Sequence, residues 1–202
     1  WFSDIQQSEV YTGLKPASIA LSLPSTGLVT ANLSFMGKNL ERTGTTQYFT
    51  SPTPTNTEGI FAAVSGAVVV NGKPVGLITS MDLNISRNQE AANVVGSNFA
   101  ADIFVGRVTA SGSLSVYFQD AVFRDYFDDE SKISIVVALT TGEEKDAEAM
   151  SFTMGKVKIN SGSKTDAELG QTQSMDFQAL QNDVTSGGLV ASTILVQDTT
   201  LV

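Results

Sequence analysis

The 202-residue chain contains no cysteine and no histidine. The first absence excludes disulfides and thiolate chemistry, and the second removes the commonest general base, proton shuttle and metal ligand. Charge is scarce as well. Charged residues make up 16% of the chain, against about a quarter in ordinary soluble domains, so Ser, Thr, Asn and Gln must supply much of the polarity. The 12 Lys and Arg are outnumbered by 21 Asp and Glu. The resulting formal charge of -9 repels a phosphate backbone and argues against tight nucleic-acid binding. No apolar run reaches the roughly 18 residues of a membrane span, and WFSDIQQSEV lacks the basic end and apolar stretch of a signal peptide. The expectation is a protein neither inserted in a membrane nor secreted by that route. GxSxG, GxxxxGK[ST] and GxGxxG motifs are also missing. The acidic groups Asp125, Asp128, Asp129, Glu130 and Glu143, Glu144, Asp146, Glu148 lack metal-loop spacing and read as solvated surface. No catalytic residue, metal site or cofactor is expected.

What the chain has in quantity is period-two alternation, the pattern of a strand with one wet face. Val29, Ala31, Leu33 and Phe35 interleave with Thr30, Asn32 and Ser34. Val108, Ala110, Leu114, Val116 and Phe118 interleave with Thr109, Ser111, Ser113, Ser115 and Tyr117, and Gly112 on the apolar side marks a bulge or a close backbone approach. GLITSMDLNIS, residues 76–86, sets Met81, Leu83 and Ile85 against Ser80, Asp82, Asn84 and Ser86. In all three the apolar set is expected to face the core. Further strands are expected at 16–23, 59–70, 132–140 and 148–160, with weaker candidates at 173–180 and 189–196. Asn71-Gly72 predicts a two-residue hairpin turn, because both central residues of a type I′ turn need positive φ.

A helix is expected over 120–132, capped by Asp120 and carrying Val122, Phe123, Tyr126 and Phe127 on one stripe. A short helix is also expected within 89–94. Residues 38–58 form a Thr- and Pro-rich connection longer than ordinary loops. After residue 180 a Ser-Gly-Gly break and a β-prone run predict a C-terminal arm, 181–202, following a domain over 1–180.

The polar faces are unusual for bulk-exposed strands, which normally carry Lys, Glu or Arg that deter edge pairing. Short uncharged groups in succession fit a confined aqueous surface such as a pore wall. A β-sandwich module that binds carbohydrate or a receptor is the competing reading, kept open by Tyr48, Phe49 and Tyr117.

In their order along the chain, GLVTANLSFMGKNL (27–40), VVVNGKPVGLITSMDLNISRN (68–88), VGRVTASGSLSVYFQD (105–120) and GQTQSMDFQAL (170–180) resemble the major tail tube proteins of long-tailed, Caudovirales-type bacteriophages. The resemblance spans roughly residues 12–180. It implies a mainly β fold: a β-sandwich with one flanking α-helix, whose long strands join those of other copies in an inner β-barrel. It implies no enzymatic activity, hexameric rings stacked into a hollow tube, and DNA that transits toward the host without specific binding. The partners implied are copies of the same chain and the tape measure, tail terminator and baseplate or tip proteins. The place implied is the tail tube of a virion, assembled in the host cytoplasm. The lumen-facing residues expected on this basis are Thr30, Asn32, Ser34, Asp82, Asn84, Ser86, Thr109, Ser111, Ser113 and Ser115. Thr46, Gln47, Tyr48, Phe49, Pro52 and Pro54 are expected in a loop that bridges rings.

Overall fold

Period-two patterning dominates the structure as it does the sequence. The computed structural model describes residues 2–46, 48–49, 51, 60–118, 122–144, 146–167, 170–182 and 191–199. In chain order the strands are β1 Ser8–Thr12, β2 Lys15–Pro24, β3 Thr30–Met36, β4 Asn39–Gly44, β5 Ala67–Val70, β6 Lys73–Pro74 and β7 Ile78–Ser86. They continue as β8 Glu90–Asn93, β9 Ala100–Phe104, β10 Thr109–Tyr117, β11 Ile133–Thr140, β12 Ala149–Ala167, β13 Gly170–Leu180 and β14 Leu195–Asp198. One α-helix, α1, spans Val122–Asp128. The fold is mainly β.

The chain divides into two compact units. Unit 1 comprises residues 1–19, 33–58 and 86–107, and unit 2 comprises 20–32, 59–85 and 108–202. Strands β2, β3 and β7 contribute residues to both.

Unit 2 holds the core. Its sheet runs in the order β3-β2-β7-β10-β13-β12-β11-β5-β6, with β14 also on β12. Burial alternates along β11 and β13, so Ile133, Ile135, Val137 and Leu139 face the same interior as Met175, Phe177 and Ala179. Leu114 of β10, Ile133 and Ile135 of β11, Ile159 of β12 and Phe123 of α1 line one small internal void. The sheet therefore curls over a single core. A register shift between Ile159 and Ser161 allows part of this bend, since an extra residue in one strand increases local twist.

The Asn71-Gly72 turn is formed as expected. Val70 pairs with Lys73, and the two central residues have φ of 49° and 75°. Gly112 is a close-approach glycine: it lies opposite Phe177 across the β10–β13 ladder, and a Cβ there would collide with the Asp82 carbonyl oxygen and stand 2.7 Å from Phe177 Cζ.

Unit 1 is built from two antiparallel pairs, β1–β4 and β8–β9. Its buried residues among those described are Ser8 and Ile103. Asp102 of β9 ties this unit's segments together: its Oδ1 lies 2.7 Å from Lys38 Nζ and 3.4 Å from Lys15 Nζ. Lys15 Nζ also donates to the Ile103 carbonyl at 2.7 Å, and Lys38 Nζ to that of Ala101 at 3.4 Å.

Several expectations are corrected. Residues 90–93 form a strand, not a helix: Glu-Ala-Ala-Asn has helical propensity, but so short a segment cannot support the cost of nucleation, and β9 supplies a ladder instead. β4 lies inside the expected long loop and pairs with β1. The 59–70 strand shrinks to β5, preceded by a 3-10 turn at Ala63–Ser65. β12 runs seven residues beyond its expected end at 160, to Ala167. The helix stops at Asp128, short of the expected residue 132, Asp120 lies outside the described residues, and no residue of α1 is buried. Leu33 and Phe35 are 51% and 55% exposed and do not join the core. They sit on an edge strand, and among the described residues nothing buries their face. Within the expected C-terminal arm, β14 pairs with Met150–Thr153 of β12.

Candidate functional wall

Alternation delivers the polar side chains of unit 2 to one face of the sheet. With Ala110, Leu114 and Val116 buried, Ser111, Ser113 and Ser115 point the other way, and each meets a polar residue of β13 across the ladder: Gln178, Asp176 and Ser174. β12 adds Ser161 opposite Asp176 and Ser163 opposite Ser174. A shallow depression of about 570 Å³ on this face is lined by Thr30, Asn32, Asp82, Asn84, Ser111 and Ser113, together with Ser22, Asn160 and Asp176. Six of the ten residues expected to share a surface are thus brought together. Ser115 continues the row along β10, and Thr109 begins that strand half-buried. Ser34 and Ser86 fall in unit 1.

These groups bond sideways to one another. Ser22 Oγ donates to Asp82 Oδ1 at 2.7 Å, Ser161 Oγ donates to Asp176 Oδ2 at 2.7 Å, and the Ser115 and Ser174 hydroxyls are 2.7 Å apart. Such bonds hold short side chains in the plane of the wall, and a hydroxyl bonded to a carboxylate is among the stronger hydrogen bonds. Lys158, opposite Gln178, lies 3.2 Å from Glu130 and is engaged as an ion pair. The lining of the depression carries two carboxylates and no cation. It can hold water and repel a polyanion. Among the described residues no group of acidic side chains is placed to hold a metal ion.

Ser22, Ser161, Ser163, Ser174 and Asp176 were not among the expected wall residues. For Ser22, Ser174 and Asp176 the signal was the same alternation, present in SIALSL and QTQSMDFQAL, whereas Ser161 and Ser163 follow a register shift after Ile159 that breaks it.

Of the loop residues, Gln47, Pro52 and Pro54 lie outside the described residues. Thr46 follows the end of β4 by two residues. Tyr48 and Phe49 are exposed and pack edge to face, with centroids 4.9 Å apart. Tyr117 is exposed at the end of β10. Among the described residues no helix is long and apolar enough to cross a membrane.

A search among curated proteins returns no match. The family model described as phage tail tube protein matches residues 1–179. That match covers most of the chain and takes in the polar wall as far as Ala179 of β13, and the chain therefore belongs to the phage tail tube protein family.

Proposed function

We propose that this chain is a non-enzymatic structural subunit of a phage tail that associates with copies of itself into stacked hexameric rings, forming a conduit for DNA. Family membership supports the tail location, self-association and contact with other tail components. The observation that carries the conduit reading is the polar wall of unit 2, a sheet face of short Ser, Thr and Asn side chains bonded laterally, with two carboxylates in its depression and no cation. A depression facing bulk water would not need to be free of Lys and Arg, and one that faces moving DNA would, because each cation adds an attractive phosphate contact.

On this reading Thr30, Asn32, Ser34, Asp82, Asn84, Ser86, Thr109, Ser111, Ser113 and Ser115 face the lumen, joined by Ser22, Ser161, Ser163, Ser174 and Asp176. DNA passes without specific binding on its way into the host, and assembly precedes in the host cytoplasm with tape measure, tail terminator and baseplate or tip proteins. The 38–58 segment bridges rings, a reading supported by its length and its Thr and Pro content. Deleting residues 47–57 is expected to leave folded subunits that stack poorly; tubes of normal length would count against the bridge.

The wall is tested by Ser111→Lys. The substitution places a cation on an exposed position, so subunits are expected to fold and form tubes while DNA delivery slows, most strongly at low ionic strength. Unchanged delivery through tubes whose density shows the lysine in the lumen would overturn the reading.

A further inference from the structure

Away from the polar wall, unit 2 holds a second cavity of about 420 Å³, enclosed by α1, the end of β10 and the chain that leaves the β5–β6 hairpin. That volume falls within the range of small-molecule sites. Its floor is made by Val70, Val116 and Gln173, all buried. Its sides are aromatic. Tyr117 and Phe118 stand at the end of β10, and α1 presents Phe123 and Tyr126, whose rings meet edge to face with centroids 6.2 Å apart.

Polar groups reach this cavity at two levels. On the floor, Gln173 is 6% exposed, yet its side-chain amide makes no hydrogen bond among the described residues. An amide withdrawn from bulk water without a partner costs free energy, so one that opens onto a cavity is matched by whatever fills it. On the rim, Lys73 is exposed, is the charged side chain of the lining and has no ion-pair partner among the described residues. A second cation stands close by, with Lys164 Nζ 3.5 Å above the Phe118 ring. In a chain of net charge -9, this is a local site complementary to an anion.

We propose that this cavity binds an acidic sugar, a pyranose ring that carries a carboxylate. Aromatic side chains offer apolar faces to the C–H faces of such a ring, and tyrosine adds a polar tip for its hydroxyls. The Gln173 amide both donates and accepts, as a sugar hydroxyl does, and Lys73 pairs with the carboxylate. The placement of the polar groups decides between ligand types. An acyl chain or a flat aromatic acid would satisfy Lys73 on the rim and leave the floor amide sealed and unpaired; a sugar carries hydroxyls around its whole edge and satisfies both. The site shares no lining residue with the polar depression, so the proposal does not rest on the conduit reading.

The test is a titration of the whole chain, followed by NMR, with sodium glucuronate, glucose and sodium benzoate in turn. Glucuronate is expected to shift the amides of residues 73–77, 117, 118 and α1, and to bind about fivefold more tightly than glucose, the contribution of one exposed ion pair. Benzoate, which has the carboxylate without the hydroxyls, should bind more weakly than glucuronate. Lys73 and Tyr117 are exposed, so Lys73→Gln and Tyr117→Ala are expected to leave melting unchanged. Lys73→Gln should reduce glucuronate to the affinity of glucose, and Tyr117→Ala should weaken both sugars. No shift with either sugar, or shifts confined to other parts of the chain, would overturn the site. Benzoate binding more tightly than glucuronate would overturn the sugar in favour of a flat acid. Equal affinity for glucose and glucuronate, unaffected by Lys73→Gln, would overturn the carboxylate.

Discussion

Units 1 and 2 are both built from antiparallel strands, yet they are held together by different means. Among the described residues every buried hydrophobic side chain except Ile103 belongs to unit 2. Unit 1 leaves Phe2, Ile5, Tyr11, Leu14, Phe99 and Phe104 exposed and fastens its strands with ladders and the Asp102 clamp. Apolar burial is the dominant favourable contribution to folding, so unit 2 carries most of what keeps a lone subunit folded. The exposed apolar side chains of unit 1 contribute little to the stability of a lone subunit.

Matched truncations separate the two. Phe152 of β12 is 4% exposed and Phe104 of β9 is 63% exposed. Phe152→Ala removes a ring from a packed interior and is expected to cost about 4 kcal/mol in urea denaturation of the subunit. Phe104→Ala is expected to change it by less than about 0.5 kcal/mol. Equal losses would show that unit 1 shares the core's role and would break the contrast. Gly112→Ala follows in size, at about 2 kcal/mol, because the added methyl meets the rigid Asp82 backbone as well as the Phe177 ring. Phe177→Leu should recover part of that loss by clearing the ring, and a full recovery would mean that the Asp82 backbone yields.

Gly72→Ala is expected to cost about 1 kcal/mol by a different route. The site has open space around a Cβ, so the loss comes only from forcing an L-residue to φ of 75°. Gly72→Asn should restore much of it, since Asn tolerates that region better than Ala.

That turn was legible in two letters, as were β2, β7, β10, β11 and the wall residues Asp82, Asn84, Ser111 and Ser113, because a strand packed on one side writes its environment into every second residue. The same rule failed where the environment was not within one copy. Leu33 and Phe35 alternate as cleanly as Leu114 and Val116, but the former lie on an edge strand and the latter under a curled sheet. Pattern reports which residues would share a face, not whether one copy covers it. β4 and β8 were missed for a related reason: short, polar or Ala-rich segments become strands through a partner strand, β1, distant in sequence, in one case and β9, close by in sequence, in the other. The Asp102 clamp had no signal at all, since Lys15, Lys38 and Asp102 meet only after the chain has folded.

The clamp provides the smallest effect and the one most specific to unit 1. The hydrogen bond from Lys38, then that from the Ile103 backbone, then the charge of Lys15 lower the Asp102 pKa from 3.8 to about 2. A carboxyl group whose pKa is lower in the folded state contributes stability that is complete above its unfolded value and declines as pH falls toward the folded one. The window is therefore about pH 4 down to about pH 2, with the loss growing in the acid direction. Amide hydrogen exchange at β9, corrected for intrinsic rates, is expected to accelerate across that window, while amides of β11 and the first half of β12 stay protected. In Asp102→Asn the β9 amides should exchange faster already at neutral pH and show no further step on acidification. A β9 step that survives in Asp102→Asn would assign the acid sensitivity to another carboxylate, and a simultaneous loss at β11 would mean that the two units open as one.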